Sequence, residues 1–168
     1  MNAYLAAALS TALLVLPSGA LAQQAPDEGF VVSGVPEVRN WTDNVGQKLD
    51  DQLAYQERMM RPGEAHTGIV QLRFSRGVDG SPRDIEVYRS AASSAVKSSA
   101  RRAVSRLRDL PPLPAAHAAT NEVIVNILLA NDEAHMRHLS RKLAGWETER
   151  LARSTAERRV LAFNSTRR

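Results

Sequence analysis

Hydrophobic positions change their period several times along the chain. Trp41, Val45, Leu49 and Leu53 recur every four residues, a spacing that lines one face of a helix and predicts one over 40–57. Asn40 suits its N-cap and Asp43 the positive end of its dipole, while Arg61-Pro62-Gly63 ends it. Over 68–75 the period drops to two. Val70, Leu72 and Phe74 alternate with Gln71, Arg73 and Ser75, which predicts a strand with one buried face. Asp79-Gly80 then forms a reversal, and Ile85 and Val87 alternate with Asp84, Glu86 and Tyr88 in a second strand, 84–90. Pro82 cannot donate a ladder hydrogen bond, so it suits the start of an edge strand.

A second helix is expected over 93–108, where Val96, Ala100, Ala103, Val104 and Leu107 share a face and Ser93 or Ser94 caps it. Leu110-Pro111-Pro112-Leu113-Pro114 stops it. The third strand, 121–130, is apolar on both alternating sets, broken only by Asn126. Such a strand is central or has a partner waiting. The fold class is therefore α+β: a small antiparallel/mixed three-stranded sheet in ββαβ order, packed by helices, with 69–75 as middle strand. The crossover makes the second and third strands parallel and leaves the third with a free edge. The tail 132–168 is expected to be a basic amphipathic helix, with Met136, Leu139, Leu143 and Trp146 as its apolar seam.

Residues 1–22 carry no charged side chain, and Pro17-Ser18-Gly19 leads to Ala20-Leu21-Ala22. That is the layout of a secretory signal peptide cleaved before Gln23. The rival reading is an uncleaved membrane anchor, but the apolar run from Ala6 to Leu16 is shorter than the ~20 residues a spanning helix needs. Residues 23–37 read as a linker, and the domain proper as 38–131.

With no cysteine, a disulfide scaffold, a thiolate nucleophile and a Cys-ligated metal are excluded. The net charge of +4 is uneven: 133–168 hold nine Lys/Arg against four Asp/Glu, and the rest of the chain is about neutral. Basicity is thus a property of the tail. It fits docking on the domain or on a second copy (a homodimer), or contact with an anionic membrane surface; a secreted chain leaves nucleic acid as the weakest reading. His66, His117, His135 and His138 show neither base–nucleophile spacing nor a recognised zinc pattern. No catalytic residue, metal or cofactor is expected, and the chain reads as no enzyme.

The order Phe74, Asp79-Gly80, Ile85, Val87, Ser90, Ala100, Ala103, Val104, Pro111 and Val123-x-Val125 resembles the C-terminal domain of the TonB family over residues 66–130. The departures are Ser90-Ala91-Ala92 in place of Ser-Ser-Gly, Val96-Lys97 at the helix start, and Leu107 and Asp109 where an aromatic pair is common. The resemblance implies a periplasmic protein-binding domain acting in transmembrane transport. Its partner would be an outer-membrane TonB-dependent transporter, or another periplasmic protein, whose extended segment adds to the third strand. The implied partner-binding residues are Val123, Ile124, Val125, Asn126, Ile127, Leu128 and Leu129. Two alternatives stand beside it: an anchored TonB-type energy transducer that keeps its leader, and a structural or oligomerising domain whose edge is self-capped.

Overall fold

The computed structural model describes residues 36–59 and 67–167; the expected leader 1–22 and all but the last two residues of the expected linker lie outside them. The first element, α1 (Pro36–Arg58), begins earlier than the periodicity suggested. Pro36 is its first residue, a position where the missing N–H has no helical partner to lose, and Val38 is already buried beside Trp41. Two strands follow, β1 (Gly68–Arg76) and β2 (Pro82–Ala92). In the turn between them the Asp79 carboxylate accepts from the Ser81 amide and hydroxyl and from Arg83. Gly80 holds φ +71°, a left-handed conformation that favours glycine, and a Cβ there would stand a tight 3.1 Å from the backbone of Leu110.

Helix α2 (Ser94–Ser105) starts where its cap was expected, with the Ser93 hydroxyl accepting from the Val96 amide. A single turn, α3 (Ala115–Ala118), interrupts the Pro-rich loop before β3 (Glu122–Leu129). Beyond it come α4 (Glu133–Arg153), α5 (Thr155–Arg159) and a fourth strand, β4 (Leu161–Arg167). The sheet order is β2-β1-β3-β4. β1 is antiparallel to both neighbours, and β3 and β4 are parallel. The fold is α+β, with four strands where three were expected.

The additional strand corrects the reading of the tail as one helix. Ser154, extended at φ −162° and ψ 162°, breaks the helical run and caps α5 through the Glu157 amide. Past Val160 the burial alternates: Leu161, Phe163 and Ser165 are buried, while Asn164 and Thr166 are exposed. A two-sided apolar strand such as β3 needs a neighbour on each edge. Residues 161–167 meet that need better as a strand than as an exposed helix end.

The sheet is covered on both faces. Val70, Leu72, Phe74, Val123, Val125, Ile127, Leu161 and Phe163 pack against α1 and α2 in the main core. On the opposite face Ile69, Leu128 and Ala130 meet the seam Met136, Leu139, Leu143 and Trp146 of α4. The expectation of one buried face on β1 is therefore corrected: Gln71 is 1% exposed, because α4 lies over it.

Candidate partner-binding edge

The seven residues Val123 to Leu129 do not form an edge. Each is registered to β1 on one side and to β4 on the other. Val123, Val125, Ile127 and Leu129 point into the main core, Leu128 packs on the α4 seam, Ile124 lies on the same side of the strand as Leu128, and all are buried. The expected acceptor strand is corrected on this ground. Its backbone donors and acceptors are already used within the chain.

β4 is held at three points along α1. Phe163 meets Trp41 edge-on, with ring centroids 5.8 Å apart. The Ser165 hydroxyl donates to Asp50 at 2.6 Å. Arg167 pairs with Glu57 at 3.0 Å and donates to the Asp50 carbonyl. Burying Leu161 and Phe163 contributes about 1.5–3 kcal/mol each, so β4 is a member of the sheet and not a loosely laid strap.

Two outer edges remain, and they differ. The pairing of β2 with β1 slips at Gln71/Leu72 and again at Arg73/Ser75. Asp84 sits at φ 54°, and Pro82, Arg83, Asp84, Glu86 and Arg89 crowd the strand. Bulges, proline and charge are the devices by which sheets blunt an edge. β4 has none of them before Arg167; its seven residues keep an unbroken register with β3. The Ala130 amide donates to the Arg167 carbonyl, so the backbone of Arg167 faces β3. By the alternation of a strand, that of Ser165, Phe163 and Leu161 does the same. The N–H and C=O groups of Ala162, Asn164 and Thr166 therefore point outward. Among the described residues no backbone hydrogen bond reaches them.

A row of polar side chains leads across the sheet to this edge. Gln71 Nε2 donates to Glu147 at 2.7 Å and to Asn126 Oδ1 at 2.8 Å. Asn126 Nδ2 in turn donates to Asn164 Oδ1 at 3.0 Å. Gln71 pairs with Asn126 in register, and Asn126 with Asn164, so the three amides form one rung over β1, β3 and β4. Glu147 also binds Arg150 at 2.7 Å, with both side chains nearly fully buried. Arg150 and Arg73 converge on Glu157, the latter at 2.6 Å. Burial opposes the charge of Arg73, but the Glu157 hydrogen bond and carboxylate outweigh it and hold that pKa above its ordinary value. Tyr88 lies under the same guanidinium, 4.5 Å from ring centroid to carbon.

Of the histidines within the described residues, His117 Nδ1 lies 2.8 Å from the Arg159 carbonyl. No three His, Asp or Glu among the described residues gather as a metal site would require. The residues that sequence reasoning missed are Ala162, Asn164 and Thr166. Their signal was the period-two pattern of Leu-Ala-Phe-Asn-Ser-Thr, set behind a longer helical one.

Comparison of the chain with family models, with curated proteins and with solved structures finds no match in any of the three.

Proposed function

We propose that this chain is a non-enzymatic, TonB-like protein-binding domain of the bacterial periplasm. It takes an extended segment of an outer-membrane transporter, or of another periplasmic protein, as an added strand, and serves transport across the envelope. One observation carries the reading: the outer side of β4 presents three outward-facing backbone positions, Ala162, Asn164 and Thr166, without bulge, proline or charge among them. An extended peptide satisfies such groups through its own backbone, and pockets beside the edge select its side chains. The acceptor in this reading is β4. Its outward row stands one strand beyond the residues that the TonB resemblance implied.

Titration of the domain with a peptide corresponding to a transporter's TonB box tests it. Amide signals of residues 161–167 are expected to shift, with those of 84–90 unchanged. Shifts confined to β2, or to the helices, would remove the strand-addition reading. An anchored energy transducer is the second reading, motivated by the uncharged stretch 1–22. A mature protein beginning at Gln23 on N-terminal sequencing rules it out.

A further inference from the structure

We infer that the β4 edge also pairs with the β4 edge of a second copy of this chain, giving a twofold dimer with one continuous eight-stranded sheet. The inference rests on the reading of β4 as a strand-accepting edge and names a competitor for that same edge.

Asn164 is the midpoint of β4 (Leu161–Arg167), and it is also the middle of the three residues whose backbone faces outward. Antiparallel pairing about Asn164 sets each Ala162 opposite a Thr166 and Asn164 opposite its own counterpart. All three outward residues then fall at hydrogen-bonded positions of the new ladder. Such an arrangement is self-complementary, as an interface between two identical copies must be.

Charge permits it. The outward positions are neutral, and the one charged residue of the strand, Arg167, is tied to Glu57 of its own copy and comes to lie across from Leu161. No like charges face each other across the axis, and the outward positions lack the proline, register slips and charges that blunt the β2 edge. The side-chain rung points the same way. Asn164 is exposed, and its Oδ1 is engaged by Asn126, so its amide N–H groups remain for the neighbour. In the dimer the rung Gln71–Asn126–Asn164 continues through the axis into the same three residues of the other copy.

The chain has no cysteine of its own, so single cysteines report the register. Two Asn164 Cα atoms at a hydrogen-bonded pair stand about 5.5 Å apart, within disulfide reach. Two Thr166 Cα atoms are offset by four residues along the strand, roughly 13 Å, and are out of reach. Under mild oxidation Asn164→Cys is expected to give a cross-linked dimer and Thr166→Cys to stay a monomer. Light scattering of the unmodified chain, without peptide, should show a mass about twofold that of the protomer at high concentration. The double variant Ala162→Lys/Thr166→Lys should be monomeric, and mixing it with Ala162→Glu/Thr166→Glu should restore a mixed dimer. Circular dichroism of each variant verifies folding. A chain monomeric at every concentration overturns the inference, as does equal cross-linking at both positions or a dimer untouched by the paired lysines. Since no peptide is present, none of these outcomes decides whether β4 accepts a transporter segment.

Discussion

Asn126 and Asn164 sit directly across from each other on β3 and β4, and the amide of the first donates to the carbonyl oxygen of the second at 3.0 Å. Asn126 is the only polar side chain between Val123 and Leu129, and it is 2% exposed. It accepts from Gln71 on one side and donates to Asn164 on the other, joining three strands on one face.

Replacing Asn126 by alanine leaves the Gln71 amide with Glu147 alone and removes the donor to Asn164. A buried hydrogen-bonding group left without its partner costs about 1–3 kcal/mol, so Asn126→Ala should lower unfolding stability by that amount. In the monomer Asn164→Ala should cost less, because within one copy the rung ends at solvent there. Urea denaturation of the two variants provides the comparison, and equal losses would mean that Asn126 is not the keystone of the rung.

Glu147 and Arg150 form an ion pair almost wholly removed from water. Arg150→Met strands the Glu147 carboxylate, a change expected to cost about 3–5 kcal/mol. The double variant Glu147→Gln/Arg150→Met removes both charges and should recover much of that loss. A double variant as unstable as the single one would show that packing of the arginine, and not the charge, is what α4 requires there.

Removal of residues 161–168 strips β3 of its parallel neighbour. The amides of β3 that now donate to β4 should lose protection in hydrogen exchange, and the cover over Trp41 supplied by Phe163 should disappear, shifting indole emission to the red. Phe163→Ala alone should cost about 3–5 kcal/mol. Full protection of β3 in the truncated chain would mean that its outer edge does not depend on β4.

The Asp79 carboxyl is held well below its ordinary pKa, chiefly by the Ser81 hydroxyl and amide and further by Arg83. A depressed carboxylate contributes its stabilisation above its unfolded pKa, about 3.9, and loses it as pH falls toward the folded value. The turn should therefore keep its geometry in mild acid and loosen only in strong acid. The Asp79 carboxyl carbon, followed by NMR, should show no titration step near pH 4; a midpoint there would place the carboxylate outside the Ser81 hydrogen bonds.

Much of the framework was legible because local and tertiary demands agree. Ser93 caps α2, Asp79-Gly80 turns the hairpin, and the two-sided apolarity of 121–130 asks for neighbours on both edges. The second neighbour was not legible. The alternation of residues 161–167 is short and follows a charged, helix-favouring stretch, so only the need of β3 decides its conformation. Glu147 and Arg150 illustrate the same limit from the other side. Three apart on a helix, they resemble a solvated surface pair, and their burial depends on Gln71 waiting beneath them. The candidate edge was missed for a related reason: a strand not foreseen cannot be assigned an outward face.

The hydroxyl of Ser165 reaches Asp50 across 115 residues of chain. During synthesis, α1, β1, β2 and β3 emerge before residues 161–167 exist to close the sheet. Until then β3 has an open apolar edge, and its closure is a long-range contact of the slow kind. This interval is when the chain is most exposed to wrong strand pairing, and a holding chaperone that favours open strand edges would find its substrate there. Pulse-labelled exchange should show the protection of β3 and β4 arriving together, after that of the β1–β2 hairpin. The residues that finish the fold thus also set the length of its vulnerable period.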